Sequence, residues 1–210
     1  MSGPAVARPR FPLIPFVALA TLLALAAPWP ALADVTVLVI YHSRTGNTER
    51  MARGVADGAS NVPGTRVVLK RVPDVTADDL FAADGVIVGS PVYWSNMAGE
   101  VKSFFDDWQF KFGVFPDFKM RDKVGAAFAT GGQVSSGKEL TMLSILAAML
   151  GNQMIVVGGG GAFGASATTE GDSPGIDEKE LAQAKTLGRR VAEVAAWVKA
   201  GRPATARNPS

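Results

Sequence analysis

The chain of 210 residues contains no cysteine and a single histidine, His42. Disulfides, thiolate nucleophiles and cysteine-ligated metals are therefore excluded. A His-rich metal site or a Ser-His-Asp triad has one candidate and no more. Long apolar runs are also scarce. Phe16 to Ala27 is an apolar run of about a dozen residues, short of the ~20 that a membrane-spanning helix needs. Charge of one sign is lacking as well, since 21 basic residues face 19 acidic ones.

The apolar run follows Arg8 and Arg10 and precedes Pro28, Trp29, Pro30 and an Ala31-Leu32-Ala33 triplet before Asp34. A basic start, a short apolar core and a small-x-small site predict a signal peptide over residues 1–33, cleaved after Ala33, and so an exported, periplasmic protein. An uncleaved membrane anchor is the alternative. Without cysteine there is no lipoprotein anchor, and "RPR" is not the twin pair of the twin-arginine route. Loss of Arg8 and Arg10 makes the basic residues equal in number to the acidic ones. The basic pI thus belongs partly to the export signal, and no nucleic-acid partner follows from it. No stable membrane insertion is expected after cleavage. One domain is expected over residues 34–200, with a disordered tail at 201–210.

From Asp34 onward the pattern alternates. "VTVLVIY" (35–41) is an unbroken β-branched run, the mark of a strand covered on both faces. Residues 47–58 read as a helix closed by Gly58. A second, more polar strand spans 65–72 and sits nearer an edge. Thr76 caps a short helix over 76–83. Further strands are expected at 85–91, 123–130 and 153–159. Helices are expected at 98–108, with Val101, Phe104, Phe105 and Trp108 on one face, at 138–151, and from Asp177 to Ala200. Five strands alternating with helices predict an α/β, doubly wound, five-stranded parallel sheet with helices on both faces. Right-handed crossovers favour the order 2-1-3-4-5, which puts ligands over the carboxyl ends of strands 1, 3 and 4. The loops there are 42–48, 91–97 and 130–138.

The first loop, "SRTGNT", comprises Ser43, Arg44, Thr45, Gly46, Asn47 and Thr48. Helix-start N–H groups and three hydroxyls favour an anion there, and Gly46 permits a tight turn. No Walker lysine is present, so a monophosphate fits better than a triphosphate. An ordinary capped helix start is the competing reading. The second loop holds Pro91, Val92, Tyr93, Trp94 and Asn96, with two large aromatic faces for stacking on a planar ring, one of which is expected to cap the core. The third, with Thr130, Gly131, Gly132, Gln133 and Ser135, brings backbone donors close to a heteroaromatic edge. Together the three describe a site for a flat phosphorylated ligand such as FMN, with no metal and no catalytic side chain.

These segments resemble a known family. "SRTGNT" after the first strand is similar to the phosphate signature of flavodoxin-like proteins. "GSPVYWSNMAGEVKSFFDDW" and "GGGGAFGASATTEGD" resemble segments of WrbA-type NAD(P)H:quinone oxidoreductases, and the likeness spans about residues 35–200. It implies a flavodoxin-like fold with FMN. Its phosphate would lie at 43–48, its ring along Val92, Tyr93 and Trp94, and its polar edge at Thr130 to Ser135. It also implies a quinone or other small redox acceptor, and a homo-oligomer in which Trp108 to Phe118 completes a neighbour's pocket. Two departures fall where the second substrate would sit. A histidine found in some members is replaced within "LAAMLGNQM", and "WQFKFGVFPDFKMRDK" is more aromatic and basic. The electron donor is left open, because NAD(P)H is a cytoplasmic reductant and the chain is expected to be exported. Rival readings are an exported electron carrier and a flavin-free binding protein on the same fold.

Two further patterns are incomplete. Gly159, Gly161 and Gly164 fit G-x-G-x-x-G but do not open a helix. Ser135-Ser136-Gly137-Lys138 fits the S-x-x-K of penicillin-recognising enzymes, but S-D-N and K-T-G are absent.

Overall fold

The computed structural model describes residues 34–170 and 175–201. The expected signal peptide (1–33) and most of the expected tail (202–210) lie outside the described residues. The elements run β1 (Val35–Tyr41), α1 (Asn47–Ser60), β2 (Thr65–Arg71), α2 (Ala77–Ala82), β3 (Gly85–Tyr93), β4 (Asn96–Met97), α3 (Gly99–Phe110), β5 (Val124–Gly131), α4 (Lys138–Gly151), β6 (Ile155–Val156), β7 (Ala165–Thr168) and α5 (Glu178–Gly201).

The β1 run is central because its side chains are apolar on both faces. Val37 and Val39 pack with Met51, Val55, Leu187 and Val191 under α1 and α5. Leu38 and Ile40 pack on the opposite face with Phe104, Trp108, Ile145 and Met149 of α3 and α4. Burying each such aliphatic side chain contributes about 1.5–3 kcal/mol. The α3 face is the expected one, and Thr76 caps α2 in a reciprocal box with Asp79.

The main path of the sheet is β2-β1-β3-β5-β6. It is parallel throughout and is the expected 2-1-3-4-5 order, with the hairpin strand β4 counted separately. The sheet has seven strands rather than five. The expected strand 153–159 survives only as Ile155–Val156, beside the start of β5. The far end of β5 pairs instead with β7, Ala165–Thr168. One sheet position is thus filled by two short strands with the glycine-rich loop between them. That loop leads into a strand, so the G-x-G-x-x-G run opens no helix.

Gly58 does not end α1, which continues to Ser60. Its role is contact. A Cβ on Gly58 would stand 2.0 Å from Lys185 O, and one on Gly188 would stand 1.9 Å from Val55 O. Glycine on both helices lets α1 and α5 approach backbone to backbone, which anchors the helix whose first turn faces the candidate site.

Candidate functional site

At the carboxyl ends of β1, β3 and β5 lies a cleft of about 120 Å³. Its walls come from all three expected loops: Arg44, Thr45, Asn47 and Thr48; Pro91, Val92 and Tyr93; Thr130, Gly131 and Gly132. Larger hollows lie elsewhere. One, of about 520 Å³ and lined by Asp34, Thr36, Gly64, Arg66 and Lys199, opens at the other end of the strands. It carries no backbone cradle at a helix start and no aromatic wall, so the smaller cleft is the chemical candidate.

The start of α1 is built for an anion. Gly46, at φ 90°, occupies the N-cap position and no side chain caps the helix. Its N–H is instead taken by Ser43 Oγ at 3.1 Å, which closes the turn. The first backward bond of the helix runs from Arg50 N–H to Gly46 O. The first-turn donors therefore have no carbonyl partner within the helix, and the dipole there favours negative charge. Thr48 is buried, and its Oγ1 lies 2.7 Å from Thr130 Oγ1. That bond ties the anion loop to the end of β5. The ordinary capped start that competes with the anion reading would place a side-chain oxygen on the first-turn N–H groups, and no side chain makes that bond here.

The second loop is a two-residue hairpin. Tyr93 pairs with Asn96, while Trp94 (φ 49°) and Ser95 (φ 67°) both hold positive φ, as a type I′ turn requires. Ser90 Oγ accepts the Ala98 N–H at 2.9 Å and fixes the hairpin to α3. Tyr93 is half-buried and lines the cleft. Trp94, at the tip, is fully exposed and outside the cleft wall. One of the pair packs against the core and the other faces solvent, as expected.

Several expected residues support the cleft without lining it. Ser43 closes the turn and Gly46 shapes it. Asn96 Oδ1 accepts the Met97 N–H. Gln133 and Ser135 are exposed on the third loop. Gly137, at φ 99°, lies against the Ser95 backbone, where a Cβ would come within 2.6 Å, so the second and third loops lean on each other. Trp108 is core rather than available to a neighbour, whereas Phe110 and Phe115 are exposed.

Charge is ordered at the rim. Arg44 donates to Glu100 Oε1 at 2.7 Å and stands 5.5 Å over the Tyr93 ring. This pair, on α3 and the first loop, escaped the sequence reading because the two residues are 56 positions apart. Arg71 was missed too; its Nη2 donates to Ser43 O at 3.0 Å. The parallel register that sets Tyr41 beside Arg71 puts that arginine level with the loop. Thr169 lines the cleft from just beyond β7, in a stretch whose glycines read as loop. Among the described residues no cluster of His, Asp or Glu is arranged to hold a metal.

These features fit a phosphorylated planar ligand, with a buried hydroxyl pair, an uncapped helix start, a half-buried tyrosine and close backbone at Gly131. Residues 73–169 match the family described as NADPH-dependent FMN reductase. The chain is 37% identical over 170 residues to a flavodoxin of Aquifex aeolicus (strain VF5), covering 77% of this chain and 86% of that protein. It is 33% identical over 200 residues to an NAD(P)H dehydrogenase (quinone) of Geotalea daltonii, covering 76% of this chain and 96% of the relative. Among solved structures it resembles a flavodoxin, WrbA-like protein from Agrobacterium tumefaciens, with a TM-score of 0.66, 26% identity, and coverage of 78% of this chain and 98% of that one. The fold, the cleft and these relatives together show that the chain belongs to the flavodoxin-like family that includes the WrbA-like NAD(P)H dehydrogenases (quinone).

Proposed function

We propose that this chain is an FMN-binding flavodoxin-like oxidoreductase that passes two electrons to a quinone-type acceptor. The observation that carries the reading is the uncapped start of α1, facing Tyr93 and Gly131 across one cleft. The first turn of α1, with Thr45 and Thr48, would hold the phosphate. Pro91, Val92 and Tyr93 would border the ring, and the backbone at Gly131 and Gly132 would meet its polar edge. When bound, FMN supplies the hydride and electron chemistry, and the protein positions and tunes it. Arg44, held by Glu100 and Tyr93, places a positive charge at the cleft mouth where an acceptor enters. No side chain is needed as nucleophile or general base.

Titrating the purified chain with FMN tests the reading. A yellow protein, or one that quenches flavin fluorescence at one equivalent, is expected; a colourless protein that takes up no FMN would refute it. The flavodoxin relative favours a second reading, a one-electron carrier. Steady-state reduction of a soluble quinone separates the two, since a carrier does not turn over.

Export and self-association belong to the same proposal. Export is supported by the basic-apolar-small pattern of residues 1–33, and among the described residues no helix is long and apolar enough to cross a membrane. A mature chain that begins at Asp34 by mass is the expected product. Self-association is supported by the exposed Phe110 and Phe115, and sedimentation of the purified chain tests it.

A further inference from the structure

Lys138 opens α4 and is only 4% exposed. Its Nζ donates to Gln133 O at 3.1 Å, Val134 O at 3.2 Å and Thr168 Oγ1 at 2.6 Å. An ammonium has three donors, so all are used. The acceptors are two carbonyls of the third cleft loop and one hydroxyl of β7, all of them neutral. Among the described residues no carboxylate pairs with Nζ within 4 Å. The lysine of the S-x-x-K pattern therefore serves the loop. Ser135 is exposed and receives none of its bonds.

A neutral side chain would tie the loop at lower desolvation cost, because a buried charge without a counter-charge is disfavoured. The position of the charge explains its retention. A Cβ on Gly131 would meet Ser136 Oγ first and Lys138 Cγ next, at 3.1 Å, so the lysine stem and Ser136 together back a residue that lines the cleft. The anion-binding start of α1 serves the phosphate, which leaves the Gly131 side to the ring. The Glu180 carboxylate accepts the Thr168 N–H at 2.7 Å, one residue removed from Nζ, and makes no direct pair with it. A flavin ring becomes more negative on reduction, and Nζ, with no direct carboxylate partner among the described residues, is there to answer that charge.

We infer that Lys138 is a positioning residue for the flavin ring: it braces the 131–135 loop from behind and holds a fixed positive charge behind the cleft wall, favouring the reduced ring over the oxidised one. The inference rests on the FMN reading above. It assigns a role in tuning to a residue that touches no ligand.

The test uses the full chain with Lys138→Met, Lys138→Gln, Lys138→Arg and Thr168→Val. The readouts are the two-electron midpoint potential of bound FMN and the affinities for FMN and riboflavin by fluorescence titration. Both neutral variants are expected to lose roughly tenfold in preference for the reduced ring, a shift of about 30 mV to more negative potential. Any loss of affinity for the oxidised flavins should be equal for FMN and riboflavin. Lys138→Arg and Thr168→Val keep the charge and should keep the potential. Should Lys138→Met fail to fold, Lys138→Gln decides, since an amide retains a donor to the loop carbonyls. An unchanged potential in Lys138→Gln with intact FMN binding in the parent overturns this inference alone. So does a loss confined to FMN and not seen with riboflavin, because the charge would then serve the phosphate. A parent chain that binds neither flavin overturns the FMN reading, and this inference with it.

Discussion

His42 Nε2 stands 3.5 Å from Glu100 Oε1, where β1 runs into the anion loop. Burial lowers the pKa of His42; Glu100 opposes the shift, and Arg44 and Arg71 add to it. The folded protein thus takes up the imidazole proton at lower pH than the unfolded chain, which titrates near the ordinary value of 6.5. The unfolded state binds more protons in that window, so stability falls as pH drops through 6.5 toward the folded value. Urea melts across about pH 5 to 8, the range in which histidine titrates, should show this slope, and His42→Gln should flatten it. Glu100 acts in a separate window. The hydrogen bond from Arg44 holds its carboxyl below 4.5, so its contribution is present above 4.5 and lost as pH falls below.

The Thr48–Thr130 bond predicts a pair of effects. Thr48→Val leaves Thr130 Oγ1 buried without its partner and should cost about 1–3 kcal/mol of stability. Adding Thr130→Val should recover part of that loss, which a double-mutant cycle measures. Thr45→Glu, at an exposed position, should leave the melting temperature unchanged and abolish FMN uptake by charge repulsion.

The contact between α1 and α5 predicts that Gly58→Ala and Gly188→Ala each destabilise by about 1–3 kcal/mol or more, because the obstructing atoms are backbone and cannot rotate away. Gly151→Ala, where a Cβ meets nothing, should be neutral or stabilise by up to about 1 kcal/mol. Chemical denaturation of the three variants compares them directly.

The hairpin tip carries backbone strain. Trp94 and Ser95 hold a conformation that Asn-Gly adopts at little cost. Trp94→Asn with Ser95→Gly should raise stability by about 1 kcal/mol. FMN affinity should not change, since the Trp94 side chain lies outside the cleft wall. A melting curve and a flavin titration check the two halves.

Most of this fold is written locally. β1 announces itself by seven apolar or β-branched residues in a row, α3 by its aromatic stripe, and α2 by Thr76 and Asp79. The three cleft loops follow from order and handedness, because strand ends at a switch point must be neighbours. The split fifth strand is different. "QMIVVGG" has strand composition, yet only Ile155 and Val156 pair, and the small residues of "ASAT" pair instead. Which segment lies beside the end of β5 depends on how the glycine loop packs on α5, a contact made between distant residues. Arg71 and Glu100 were hidden for the same reason: each acts on a loop from another element, and no spacing along the chain records that.

The divided strand position also bears on how this protein behaves in a concentrated solution. A long, straight border strand offers a row of unpaired amides on which a second chain can grow, and aggregation begins there. Here one border is broken into segments of two and four residues by the glycine loop. The other, β2, is seven residues long but carries Arg66, Lys70 and Arg71. Interruption guards one side and positive charge guards the other, so neither margin of the sheet presents a flat, neutral template to another copy.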